Sequence, residues 1–200
     1  NIAIGVNAMD ALTTGICNVA MGASALGAST TGCRNIAIGE AAIGIAVTTG
    51  INNIALGTNA MDGVVTGANN IAMGQNAFGA STSGACNVAI GTSALAASTT
   101  GCYNIALGAT AMGATDVTGS DNIAIGNSTM DALTSGACNV AIGLNALGTS
   151  TDGVSNVAIG QNALAVSGND ADNNIAIGLA AMGTGDVSGE NNIGIGQGAA

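Results

Sequence analysis

Cysteine is the reactive side chain that recurs in a pattern. Cys17 lies one residue before Asn18 and Cys33 two before Asn35; Cys86 and Cys102 repeat that relation to Asn87 and Asn104. Members of each pair are 16 residues apart in a chain that repeats every 17 or 18, so they fall on neighbouring repeats, offset by one place. Stacked repeats with that offset are compatible with the Cα separation of about 4.4–6.8 Å that a disulfide needs. The spacing favours disulfides Cys17–Cys33 and Cys86–Cys102, and with them an oxidising compartment. The alternative is that small apolar thiols fill space at a corner. Cys138 meets Val154 where a partner would stand, which leaves it free or intermolecular.

Other chemistry is sparse. There is no His, no Lys and no Trp, and no Ser or Thr has a plausible base beside it, so the sequence reads as non-catalytic. The eleven carboxylates fall mostly at corners of the repeat. Asp10, Asp62 and Asp131 share one place in the repeat but lie several repeats apart. One stretch, Gly168-Asn169-Asp170-Ala171-Asp172-Asn173-Asn174, spaces oxygen ligands as calcium loops do. Asp170 and Asp172 are therefore weak calcium candidates, with no bidentate Glu at the expected distance, and a plain polar loop is the alternative. No other cofactor is expected. A column of Thr or Val recurs two places before a recurrent Gly: Thr13, Thr30, Thr48, Val65, Thr82, Thr99, Val117, Thr134, Thr151 and Val187. A regular Thr row on a flat β-face could bind ice; a half-buried β-branched column fits the same residues.

The repeat itself positions all of these. Asn1-Ile2-Ala3-Ile4-Gly5 returns eleven more times, beginning at Asn18, Asn35, Asn53, Asn70, Asn87, Asn104, Asn122, Asn139, Asn156, Asn174 and Asn192. Position 2 is always Ile or Val, position 4 Ile, Leu or Met, and positions 1 and 5 are Asn and Gly in all twelve copies. Such short self-similarity marks a repeat protein. Alternating β-branched residues predict a short strand at positions 2 to 4. The constant Gly5 place predicts a turn with a backbone angle other residues avoid. Variable residues at position 6 predict a solvated tip, and Ala8-Met9 predicts a second short strand before a Thr-Thr-Gly turn closes the unit. A unit this small cannot bury its own apolar face, but stacked units can. The expected fold is all-β: a parallel β-solenoid, or β-roll, of 17- to 18-residue coils, about eleven full coils plus a partial one. It fills 1–200 as a single domain and reads as a segment of a longer fibrous chain. Stacking also brings the twelve Asn side chains into a column, where their amides form a structural ladder.

The net charge is −10 with Arg34 the only cation, which excludes the basic footprint of a nucleic-acid binder. No apolar run approaches the ~18 residues of a membrane helix. Tyr103 and Phe78 are the only aromatics, too few for the girdles of a membrane barrel, so no membrane insertion by this segment is expected.

The unit Asn-Ile-Ala-Ile-Gly-x-x-Ala resembles the head repeat of trimeric autotransporter adhesins of the YadA type. It is also similar to the Asn-x-Ala-x-Gly arrays of bacterial surface and phage tail-fibre-like proteins. The likeness runs through positions 1 to 5, 8 and 9 of essentially the whole chain. It implies a left-handed parallel β-roll, three chains side by side, and display on a cell surface or virion fibre.

The Ala column bears on assembly from the residues alone. If Ile2 and Ile4 fill the roll, then Ala3, Ala20, Ala37, Ala55, Ala72, Ala89, Ala106, Ala124, Ala141, Ala158 and Ala176 face outward as a flat apolar stripe. Monomers rarely expose so continuous a patch, so this stripe is the expected oligomer face. The functional expectation is an extracellular structural or adhesive fibre segment that associates with itself and spaces or presents binding functions, such as for a host-surface receptor. The alternatives are an ice-binding solenoid and a self-assembling filament of coils stacked end to end.

Overall fold

The computed structural model describes residues 1–45, 48–63, 66–166, 171–184 and 189–199. Each repeat contributes one three-residue strand: β1 (Ile2–Ile4), β2 (Val19–Met21), β3 (Ile36–Ile38), β4 (Ile54–Leu56), β5 (Ile71–Met73), β6 (Val88–Ile90), β7 (Ile105–Leu107), β8 (Ile123–Ile125), β9 (Val140–Ile142), β10 (Val157–Ile159), β11 (Ile175–Ile177) and β12 (Ile193–Ile195). They form a single parallel sheet in the order β1 to β12. Equivalent residues pair throughout, as Val88 with Ile105 and Ala89 with Ala106. The chain is a β-solenoid, and the described residues contain no helix.

The expected second strand at Ala8-Met9 does not form. Those residues lie in turns, because the chain bends too sharply there to stay extended. Position 7 has φ of 50° to 57° from Asn7 to Ala180, and position 9 has φ of 46° to 57° from Met9 to Met182. A tight bond closes the bend, as where the Ala25 N–H donates to the Gly22 carbonyl at 3.3 Å. Backbone bonds still join these turns to the coils on either side: Leu95 N–H donates to Ala111 O at 3.0 Å, and Ser93 N–H to Gln75 O at 2.9 Å.

The face assignment expected from the strand is reversed. Ala20, Ala37, Ala55, Ala72, Ala89, Ala106, Ala124, Ala141, Ala158 and Ala176 are all fully buried; only Ala3, in the first strand, is exposed. They cannot be an oligomer face. Positions 2 and 4 point outward instead, half-buried or exposed along the sheet. The reason is the thinness of the coil. The interior is filled by the Ala3 and Ala8 columns facing the large position-9 residues, among them Leu26, Met61, Phe78 and Leu95. Two further columns of Ile, Leu and Met have no room inside.

Where it is described, the remaining arc supplies one more inward residue to most coils. In 17-residue coils it stands three places before the closing Gly, as Ser29, Ser81, Ser98, Leu133 and Ser150. In the two 18-residue coils where this place is described it stands two places before, as Thr48 and Val117. The extra residue is thus absorbed on the arc opposite the sheet, and the strand register is undisturbed.

Gly91 turns the chain at the end of β6 with φ +136°, and a Cβ there would run into the Gly108 carbonyl of the next coil. Gly91→Val is expected to lower stability by roughly 1–3 kcal/mol or more, because a β-branched residue resists positive φ and no flexible group can yield. Gln75→Ser, at an exposed tip, should stay within about 0.5 kcal/mol. Chemical denaturation of the two variants checks both; equal midpoints would contradict the turn geometry.

Candidate functional site

The twelve asparagines Asn1, Asn18, Asn35, Asn53, Asn70, Asn87, Asn104, Asn122, Asn139, Asn156, Asn174 and Asn192 do form a ladder, and from Asn18 to Asn174 it is buried. Its chemistry is richer than amide on amide. Each Asn Oδ1 accepts the backbone N–H of the next Asn: Asn122 N–H donates to Asn104 Oδ1 at 3.0 Å. From Asn1 to Asn174 each Nδ2 donates to the carbonyl that closes its own coil, as Asn104 to Gly119 at 2.8 Å. In six coils Nδ2 also reaches the preceding Oδ1, as from Asn122 to Asn104 at 3.1 Å. One side chain therefore closes its coil and locks that coil to the next. Coil 10 has no Gly at the closing place; Ala171 takes it, and Asn156 Nδ2 donates to its carbonyl at 2.6 Å. The ladder thus depends on a carbonyl there and tolerates a methyl group.

The cysteine expectation is corrected. Cys17, Cys33, Cys86, Cys102 and Cys138 are all free thiols. Register explains why. Arg34, not Cys33, stacks on Cys17, since Arg34 N–H donates to Ile16 O at 3.0 Å. Cys33 falls one place earlier, level with Ile16. Position 17 has φ of 55° to 62°, a bend that takes the chain out of strand alternation. The offset thiols find local partners: Cys33 Sγ donates to Thr31 O at 3.3 Å and Cys102 Sγ to Thr100 O at 3.4 Å.

Of the calcium candidates, Asp170 lies outside the described residues. Asp172 directs Oδ1 at the backbone N–H of Val154 at 2.7 Å, so its carboxylate serves the coil contact. Among the described residues no group of three or more His, Cys, Asp or Glu could hold a metal ion.

The Thr column does not present a row of hydroxyls. Thr13, Thr82 and Thr134 donate theirs to the carbonyls of Thr30, Thr99 and Thr151 in the next coil at 2.9, 3.2 and 2.8 Å. Thr99 gives its hydroxyl to Asp116 at 2.8 Å. Thr48 and Val117 are buried, and Val65 and Val187 lie outside the described residues. This column holds coils together.

What the molecule does present is the outer face of the sheet. Position 2 carries Ile or Val and position 4 Ile, Leu or Met in every strand, two unbroken aliphatic columns. In mid-rod Ile90, Ile125 and Ile142 remain 39%, 36% and 36% exposed. The columns are flanked on one side by position 17, where Arg34 Nε donates to Asn52 Oδ1 at 2.8 Å and Asn52 Nδ2 to Asn69 Oδ1 at 3.1 Å. The tips at position 6 flank the other side. The signal for this face was parity: Asn1 and Ala3 share one side of a strand, so a buried Asn ladder carries Ala inward and Ile outward. No family model, no curated protein and no solved structure matches the chain.

Two predictions follow from these side chains. Asn104→Ala removes the acceptor for Asn122 N–H and the donor to Gly119 O, both buried. It should cost roughly 2–6 kcal/mol, the sum of two unsatisfied groups, whereas Asn52→Ala on the exposed rim should cost under about 1 kcal/mol. Denaturant midpoints measure the difference. The second concerns Asp62, whose carboxyl is pushed above its ordinary 3.8 by burial, against the opposing effect of a Gly63 N–H bond. The folded state then binds the proton more tightly than the unfolded chain, so this group's contribution to stability falls as pH rises through and above 3.8. Asp62→Asn should match wild type in stability at about pH 3 and exceed it at about pH 7. Urea melts at the two pH values that show a constant gap would contradict this.

Proposed function

We propose that this chain is a structural, adhesive segment of an extracellular fibre: a surface-displayed rod that spaces or presents binding functions and performs no catalysis. The observation that carries the reading is the continuous in-register pairing from β1 to β12. The polar columns described above are spent on closing coils and joining them. Eleven steps of roughly 4.8 Å make a rod about 53 Å long. Length in such a rod is set by coil number, which is what a spacer requires. The resemblance of the repeat to adhesin heads and tail-fibre arrays points the same way, towards a cell surface or virion. Free thiols in the structure leave that location without support from disulfides.

Removing residues 70–103, two complete 17-residue coils, would bring Asn69 directly before Asn104 and restore the repeat. The shortened chain should keep a cooperative unfolding transition while its maximum dimension in small-angle X-ray scattering falls by about 10 Å, two coil steps. A chain that unfolds, or keeps its length, would contradict a modular rod.

A further inference from the structure

Asparagine is abundant in this chain, yet the triplet Asn-x-Ser/Thr, the acceptor motif for N-linked sugar, occurs once, at Asn127-Ser128-Thr129. We propose that Asn127 carries an N-linked oligosaccharide, transferred to it before the eighth coil closes. The proposal rests on the extracellular reading above, because this modification belongs to secreted chains.

The first observation is the setting of the asparagine. Asn127 is the position-6 residue of its coil, directly after the turn at Gly126, and it is exposed. No other tip carries Asn. Its Oδ1 accepts the backbone N–H of Ala109, the tip of the preceding coil, at 3.3 Å. Its Nδ2 has no partner among the described residues. The amide is held by its oxygen while the nitrogen stays open to solvent. A sugar on Nδ2 leaves the bond to Ala109 intact. The ladder asparagines offer no such nitrogen, since theirs are committed to coil closure, as Asn122 to Gly136 at 2.8 Å.

The second is the residue two places on. Position 8 is Ala in eleven copies, and Thr129 is the exception. That exception falls in the one coil whose tip is Asn. The fold does not call for it. Thr129 is fully buried, and its Oγ1 donates to the Gly143 carbonyl at 2.6 Å. That carbonyl already accepts the Ala146 N–H at 3.3 Å. Ala111 and Ala146 fill the same place in the coils on either side, also fully buried. A buried hydroxyl must be bonded, and this one is, but the neighbouring coils close without any.

The third is that folding divides the motif. Asn127 stays outside and Thr129 is shut into the core, with Ser128 at φ 50° between them. A transferase that reads both the amide and the hydroxyl meets them together only while coil 8 is open. In the transfer Nδ2 bonds to C1 of a lipid-pyrophosphate-linked oligosaccharide. The C1–O bond breaks, the lipid pyrophosphate leaves with the bonding electrons, and the amide gives up one proton. Closure of the coil then withdraws the hydroxyl and leaves a bulky, solubilising group at the eighth tip. The rod gains one point at which it displays carbohydrate.

The test expresses the full chain behind a secretion signal in yeast, beside Asn127→Gln, Thr129→Ala and Thr129→Ser. Peptide mapping before and after amidase release of N-linked sugar, which converts a modified Asn to Asp, reads occupancy. Wild type and Thr129→Ser should be occupied at Asn127; Asn127→Gln and Thr129→Ala should lose the sugar completely. Thr129→Ala restores the residue of the other eleven coils, so its circular dichroism should match wild type. Folded wild type made without export should stay unmodified when incubated with purified transferase and lipid-linked oligosaccharide. A bare Asn127 in the exported chain, sugar at Asn127 in Thr129→Ala, or modification of the already folded chain would overturn the proposal. Wild type that is retained inside the cell would count against the extracellular reading alone, since occupancy of the retained chain still decides the proposal.

Discussion

The structure depends on one bidentate side chain. A buried Asn amide at the start of each coil accepts the next coil's N–H and donates to the carbonyl that closes its own. Buried backbone groups must be paired, and at this corner the chain bends out of the sheet, so no strand neighbour can do it. Asn has the right reach, with an acceptor and a donor on one short arm. Because Oδ1 meets the next Asn and nothing else, the clamp also fixes the register: a slip by one residue would put Ile where the amide belongs. Insertions are confined to the far arc, where 18-residue coils carry their extra residue.

The clamp sets the core as well. With Asn1 inward, strand alternation sends Ala3 inward and Ile2 and Ile4 outward. The interior is then two Ala columns against one column of Met, Leu, Ile or Phe, thin enough for 17 residues to enclose. Turning so tightly requires left-handed backbone at positions 7, 9 and 17, including β-branched Ile43 at φ 49° and Thr110 at φ 52°. Such conformations cost of order 1 kcal/mol each. The coil-to-coil bonds on either side hold them, which couples each unit's stability to its neighbours.

Much of this was legible in the residues. The period, strand place, turn at the constant Gly and Asn ladder all follow from columns that admit one residue type or one shape. Three features misled. Ile and Val were assigned to the core because they are the most apolar residues of the strand, although Asn and Ala share the other parity and smallness is what a thin core demands. The second strand failed because Ala8-Met9 looks extended by composition, and nothing in an isolated Met announces a positive φ. The cysteine pairs failed because their shared offset, the very regularity that suggested bonds, puts each pair one place out of the stacking register. Asp170 lies where the structure offers no description, and its partner Asp172 is engaged by Val154.

The reversed parity separates two tasks that a globular core would combine. Ala and the position-9 residues close the coil, and Asn locks coil to coil; neither needs the side chains of positions 2 and 4. Yet every strand places an aliphatic residue at both positions, with no Thr, Lys or Glu among them. Strand propensity alone explains β-branched residues but not the exclusion of Thr, which shares that propensity. Nor does it explain Met21, Met73, Leu56 or Leu107, which are not β-branched. What Ile, Val, Leu and Met have in common is apolar surface, and on this face a single chain gains little from it. The exclusion of polar residues is therefore not explained by the fold of a single chain.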